Sequence, residues 1–265
     1  MLGKSIKNNY VYSRKYYGPL RGLILDWSGT VIDKYSNAPI KALQKLFKNN
    51  GIEIIEEEAR IPMGKRKYEH IELIMNHNHF KERWYKKYNN YPKKNDIDKI
   101  YNRFIPIQKE IIYNYCDLTP GTKESIKQLK NIHKLKIGLT TGFTSDITDI
   151  ILDQVSKKGF TPDSVVSGDD VKNGNRPNPY MIYKNMDNLN ISPIEAILKV
   201  DDTTNGIEEG LEAGCWTVGV SRYSTYMNIN DTSHESILSD YDIEEKHNYS
   251  KEKLRKACAH YLLMM

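Results

Sequence analysis

The sequence predicts an α/β protein in which a parallel-sheet core is interrupted by an all-helical insertion. Three observations predict it. Five short apolar runs, each too short for a helix, are bounded by polar residues or glycine. Segments of helical character lie between the last four runs. The stretch 36–115, between the first run and the second, reads as helices alone.

The runs are Gly22–Leu25, 135–140, 164–166, 196–200 and Trp216–Val220. Four of them are apolar at consecutive positions, as parallel strands buried on both faces are. Residues 123–133 carry Ile126, Leu129 and Ile132 at helical spacing. Ser145–Lys157 carries Ile147, Ile150, Ile151, Leu152 and Val155, with Thr144 or Ser145 as the candidate N-cap. Ser192, Pro193, Ile194 and Glu195 read as a capping box with proline at the first helical position. Strands that alternate with helices build a parallel sheet, and ligands of such sheets bind beyond the carboxyl ends of the strands.

Within the insertion, residues 39–50 place Ile40, Leu43, Leu46 and Phe47 on one face and stop at Asn49-Asn50-Gly51. Residues 55–60, 65–75 and 97–113 also read as helices. The Lys/Asn/Tyr-rich piece 85–95 reads as an exposed turn between them. The expected division is a basic N-terminal extension at 1–20, a core at 21–35 and 116–265, and a helical cap at 36–115.

Composition narrows the class. The chain has 265 residues, 39% hydrophobic and 28% charged, which suits one or two folded domains and argues against disorder. No apolar run approaches the roughly 18 residues of a membrane span. The first residues hold Lys4, Lys7, Arg14, Lys15 and Arg21 without an acid, and lack the apolar middle of a secretory signal. The three cysteines, Cys116, Cys215 and Cys258, are far apart, as reduced thiols of a cytoplasmic protein are. A net charge of +5 spread along the chain suits a small anionic substrate. No basic stripe or module for nucleic acid accompanies it.

Four pieces at strand ends carry chemistry. Leu25 leads into Asp26-Trp27-Ser28-Gly29-Thr30, a carboxylate followed by a turn of small residues. Thr140-Thr141-Gly142 offers a hydroxyl and backbone N–H groups to an oxyanion, and Arg176 supplies fixed positive charge. Asp201-Asp202-Thr203 supplies acid for a hard cation. A carboxylate nucleophile beside a phosphoryl group needs such cations to suppress repulsion.

This ordered set resembles the haloacid dehalogenase superfamily. The cap adds Ala59-Arg60-Ile61-Pro62-Met63-Gly64-Lys65-Arg66-Lys67-Tyr68-Glu69-His70. With the stretches 138–144, 168–171, Arg176-Pro177 and 213–220, it is similar to the phosphonatase family, whose members are phosphonoacetaldehyde hydrolases. The resemblance implies a Rossmann-like core with a helical cap, and a homodimer joined through the cap. It also implies a small phosphonate or phosphate substrate and Mg²⁺ held by Asp26, the Ser28 carbonyl and Asp202. Asp26 would be the nucleophile and Lys67 the Schiff-base lysine. His70 would assist proton traffic, and Met63, Thr141, Gly142 and Arg176 would bind substrate. Ser28 stands where phosphatases of the superfamily carry an acid for a leaving alkoxide. A broken carbon–phosphorus bond needs an electron sink instead, and a lysine imine is one.

Departures from the family are expected to matter. Its Gly-Asp-Thr-x-x-Asp pattern reads Asp201-Asp202-Thr203-Thr204-Asn205-Gly206 here, so Gly206 lacks the second acid. Asn205 and Asp201 are the candidates to compensate, from different directions. Ser36 replaces a common cysteine and Phe143 a tyrosine, and relatives continue for another helix beyond Tyr261. These departures leave two alternatives: a phosphatase for another small phosphorylated substrate, or an impaired relative that acts as a binding or scaffold protein.

Overall fold

The computed structural model describes residues 16–263. Most of the basic extension expected at 1–20 lies outside the described residues. Strand β1 (Gly22–Leu25) is followed by five helices: α1 (Asn37–Asn49), α2 (Glu56–Arg60), α3 (Lys67–Asn76), α4 (Asn78–Tyr88) and α5 (Lys94–Ile112). Then come α6 (Thr122–Asn131), β2 (Lys136–Thr141), α7 (Ser145–Lys157), β3 (Ser164–Ser167) and α8 (Tyr180–Leu189). The rest is β4 (Ile197–Asp201), α9 (Thr204–Ala213), β5 (Trp216–Val220), α10 (Thr232–Ile237), α11 (Asp240–Lys256) and β6 (Tyr261–Leu263).

The sheet order is β3-β2-β1-β4-β5-β6, with every pairing parallel. Strand β1 is central because it is apolar on both sides. Leu23 and Leu25 pack with Ile147, Ile151 and Val155, whereas Ile24 packs with Ile182, Leu189 and Ile197 on the opposite face. Each such fully buried side chain contributes roughly 1.5–3 kcal/mol. The chain order reverses between β1 and β4, so the carboxyl ends of those strands open a crevice.

The helical cap has its own core of Ile40, Leu43, Leu46, Phe47, Ile71, Phe80, Trp84 and Phe104. Its link from β1 is strained: Asp33, Tyr35 and Ser36 adopt φ of 53°, 68° and 54°. The Asp33 carboxylate offsets part of this by accepting the N–H groups of Asn37 and Ala38 at the start of α1.

Four details differ from the sequence expectation. The stretch 85–95 is not all turn, because α4 runs on to Tyr88. Phe80, Trp84 and Tyr88 stack at four-residue spacing, and that periodicity overrides a loop-like composition. The capping box at Ser192 does not form. The Ser192–Pro193 bond is cis and leads into a single 3-10 turn, Ile194–Ala196, with β4 starting at once. The helix joining β3 to β4 is α8, further upstream. A sixth strand, β6, extends the sheet beyond the five expected.

Candidate active site

Asp26 leaves the end of β1 at the bottom of the crevice and is almost fully buried. The loop after it turns at once, with the N–H of Gly29 donating to the carbonyls of Ile32 and Asp33 at 2.8 and 3.0 Å. Gly29 has φ of 79°, and a Cβ there would lie 2.3 Å from Asp202 Oδ2. Glycine is therefore required twice, by conformation and by the approach of Asp202.

Opposite Asp26 lies a buried cluster of charge. Arg176 Nη2 is 2.8 Å from Asp26 Oδ1, and the same group donates to the Thr140 carbonyl at 3.0 Å. Arg176 Nε donates to Glu209 Oε2 at 2.8 Å. Lys199, fully buried in β4, reaches Asp201 Oδ2 at 3.0 Å, Glu209 Oε2 at 3.3 Å and Thr140 Oγ1 at 2.6 Å. Burial alone would lower the Arg176 pKa, but the carboxylates of Glu209, Asp26 and Asp201 hold it above its ordinary value. Burial and the Asp201 charge push the Asp26 carboxyl up to about 6, against the pull of Arg176 and Lys199.

Neither Lys199 nor Glu209 was among the sequence candidates. Both carried a signal. Lys199 interrupts a strand buried on both faces, and Glu209 falls on the buried face of α9 beside Gly206, Ile207, Gly210 and Ala213. A charge on a buried face needs a partner.

The cap closes the site from above. Lys67 is the first residue of α3 and is 4% exposed. Its ammonium sits 5.2 Å from the centre of the Phe143 ring. Burial lowers its pKa to about 8, partly opposed by the attraction of Asp26. His70, one turn on, is fully buried, and its Nε2 lies 2.8 Å from the Ala59 carbonyl. A carbonyl only accepts, so Nε2 carries the proton and Nδ1, which has no partner, is a bare acceptor. Burial and the Lys67 charge push the His70 pKa down to about 3.

Asp26, Ser28, Met63, Lys67, Thr141, Gly142 and Arg176 line one cavity together with Ser36 and Phe143. Asp202 and His70 lie outside that lining. Asp202 belongs to the acid cluster beside it, and His70 stands behind Lys67. The loop before α3 meets the core backbone closely: a Cβ on Gly142 would lie 2.6 Å from the Lys65 carbonyl. Asn205 Nδ2 donates to the Met63 carbonyl at 2.6 Å across the same contact.

Oxygens of Asp26, Asp201 and Asp202 lie within 4.8 Å of one another, all three residues buried. Asp202 Oδ2 accepts the Thr225 N–H at 3.0 Å and the Ser36 hydroxyl at 3.2 Å, while Oδ1 has no partner. Burial and the charges of Asp201 and Asp26 hold the Asp202 pKa well above the ordinary range. An all-oxygen donor set with an orphaned carboxylate oxygen fits a hard divalent cation such as Mg²⁺.

A parallel sheet with a helical cap and an aspartate cluster at the carboxyl ends of β1 and β4 defines a haloacid dehalogenase-like hydrolase. Residues 23–220 match the family described as haloacid dehalogenase-like hydrolase. The chain belongs, within it, to the phosphonoacetaldehyde hydrolase family. It is 37% identical to the phosphonoacetaldehyde hydrolase of Hahella chejuensis over 262 residues, 96% of this chain and 86% of that protein. The corresponding protein of Syntrophobacter fumaroxidans is 32% identical, covering 96% of this chain and 91% of its own length. Among solved structures, the phosphonoacetaldehyde hydrolase-like protein from Oleispira antarctica superposes with a TM-score of 0.90 at 36% identity, over 96% of this chain and 92% of that one. A hydrolase from Pseudomonas syringae, at 14% identity and TM-score 0.63 over 91% and 92% of the two chains, shares the fold alone. Among the described residues, no helix is long and apolar enough to cross a membrane.

Proposed function

We propose that this hydrolase cleaves the carbon–phosphorus bond of phosphonoacetaldehyde, giving acetaldehyde and phosphate. The observation that carries the reading is the shared cavity: the Lys67 amine and the Asp26 carboxylate line the same small, buried space. The names of the relatives point to the same substrate. The division into a core of 21–35 and 116–265 and a cap of 36–115 is part of this reading, as is a homodimer, which light scattering at twice the chain mass tests.

The chemistry follows from the residues. With a pKa near 8, roughly one Lys67 in ten is neutral at pH 7, against about one in a few thousand for a free lysine. The neutral amine adds to the aldehyde, water leaves, and a protonated imine forms. Asp26 then attacks phosphorus. The carbon–phosphorus bond breaks and its electron pair moves into the imine, leaving an enamine on Lys67 and a phosphoryl group on Asp26. Protonation at carbon and addition of water release acetaldehyde and return the amine. A second water hydrolyses the aspartyl phosphate and returns the carboxylate.

Supporting roles are assigned by position. Arg176, Thr141 and Gly142 orient the phosphonate oxygens, and Met63 closes the cavity over the carbon end. His70, kept neutral behind Lys67 with Nδ1 free to accept, is assigned to proton traffic during imine formation and hydrolysis as a hydrogen-bond acceptor that relays a proton without holding the charge. Asp26, the Ser28 carbonyl and Asp202 would hold Mg²⁺, which when bound offsets the charge of the transferring phosphoryl group. Ser28 supplies no acid for a leaving alkoxide, and this reaction has none.

The test is to incubate the purified protein with phosphonoacetaldehyde and Mg²⁺ and assay both products. Acetaldehyde and phosphate in equal amounts are expected, and borohydride should trap a two-carbon unit on Lys67. Phosphate released from ordinary phosphate esters alone, with no trapped adduct, would overturn the reading.

A further inference from the structure

The cap turn Met63-Gly64-Lys65, which leads into Lys67, is held between two parts of the core. On one side stands Gly142, whose added Cβ would lie 2.6 Å from the Lys65 carbonyl. On the other stands the start of α9. Gly64 has φ of 87°, and a Cβ there would lie 2.6 Å from the Thr203 hydroxyl and 3.1 Å from Asn205 Cβ. The turn therefore fits the core only as bare backbone, and its carbonyls are brought to the core surface.

One of those carbonyls meets a donor. Asn205 Nδ2 donates to the Met63 carbonyl at 2.6 Å. A carbonyl only accepts, so the nitrogen end of the carboxamide must face the cap. A carboxylate of the same shape would repel the carbonyl. The base of Asn205 is itself fixed. Thr203 caps α9 by accepting the Gly206 N–H at 3.1 Å, and gives its own N–H and hydroxyl to Asp201 Oδ1 at 3.0 and 2.8 Å. A hydrogen-bonded path thus runs from the acids at the end of β4, through the first turn of α9, to the turn that carries the cap amine.

We propose that Asn205 is the latch of the closed cap, a positioning residue that acts on Lys67 through the Met63 carbonyl and holds no metal. Its place beside the acids then serves to tie the cap to them, and its amide nitrogen is the atom that matters. The importance of the latch for catalysis rests on the reading of Lys67 as the reacting amine. The latch itself is tested without substrate.

The experiment is pulse acetylation of the full chain with acetic anhydride, followed by peptide mass spectrometry of Lys67. Lys67 is 4% exposed, whereas the Lys94 side chain, also on the cap, is 83% exposed and serves as the internal reference. Labelling of a buried amine proceeds through the open form, so its rate follows the open fraction. Wild type, N205A, N205D and N205Q are compared, with thermal melts to confirm folding. Loss of the bond should speed Lys67 labelling by about 3–10-fold in N205A. N205D, isosteric but with an acid against the carbonyl, should speed it by about 10–100-fold. N205Q keeps an amide donor and should lie nearer to wild type than N205D. Titration with MgCl₂ should give affinities within about twofold of wild type in N205A. Folded N205A and N205D that label Lys67 at the wild-type rate would overturn the proposal. An N205A that labels as wild type but binds Mg²⁺ about tenfold more weakly would overturn it too, and place Asn205 at the metal. Failure of wild type to cleave phosphonoacetaldehyde would remove the catalytic reading, a result separate from any change in Lys67 labelling.

Discussion

In the proposed reaction the amine of Lys67 adds to the aldehyde only when neutral, and its surroundings set how often it is. Burial lowers its pKa to about 8, while Asp26 must be ionised and has a pKa of about 6. Both active forms are favoured by rising pH. With Mg²⁺ saturating, kcat/KM should climb tenfold per unit through pH 7 and level off above about 8, as a pH–rate profile will show. K67R should abolish the trapped adduct and lower P–C cleavage by roughly 10⁴-fold or more. His70 works in the same sense on stability. Its folded pKa of about 3 lies below the ordinary 6.5, so its contribution is present above pH 6.5 and is lost as pH falls toward 3. Urea unfolding should therefore weaken below pH 6.5 by up to about 1.4 kcal/mol per unit from this group, and H70Q should flatten that slope. Glu209 pairs with both Arg176 and Lys199, all three side chains being buried. E209Q leaves two buried cations short of charge, and should cost about 3–5 kcal/mol in urea unfolding.

Elements position these groups by where they end. β1 and β4 end side by side in the sheet, so Asp26 and Asp202 arrive at one point from neighbouring strands. Helix α3 begins above them, and its first residue is Lys67. The positive end of the helix disfavours a further positive charge there, which adds to the effect of burial. The junction between α3's entry loop and the loop after β2 is backbone against backbone at Gly142. G142A should hold the cap open by forcing its methyl against the Lys65 carbonyl. A displacement near 1 Å costs about 100-fold when reacting groups must be aligned. kcat/KM should fall by that order while the melting temperature changes little.

For the molecule as a whole, the cap is closed. The cavity holding Asp26 and Lys67 has a volume of about 20 Å³, room for about one water. The proposed substrate is larger than this cavity and would enter only if the cap opens, so kcat/KM should decline with added viscogen if that opening limits the rate. The two bodies are clasped by Arg60 of α2, buried where cap meets core. Its guanidinium donates to the Tyr35, Thr225 and Ile229 carbonyls and to Asn37 Oδ1, at 2.8, 3.3, 3.2 and 2.9 Å. The Arg66–Asp169 ion pair at 2.6 Å is a second link, but an exposed one of small worth.

Much of this was legible in the chain. Apolar runs of strand length, helices between them and carboxylates at their ends are local patterns, and local patterns fix element type. They were enough for the parallel sheet and the helical cap, and they singled out Asp26, Arg176 and Asp202, which the fold brings together. The packing of Phe80, Trp84 and Tyr88 into a helix was masked by polar neighbours, and α8 was displaced in the reading by a capping-box motif at Ser192. What the tertiary structure alone decided concerns direction. The sequence left Asn205 and Asp201 as alternatives beside Gly206, and the structure puts the Asp201 carboxylate in the space that Gly206 leaves empty while Asn205 donates to the Met63 carbonyl. Lys199 and Glu209 likewise became partners of Arg176 only once strand β4 and helix α9 were packed together. The physical reason is burial: a charge within a dry interior must find its counter-charge in space, and sequence order does not say where that partner will be.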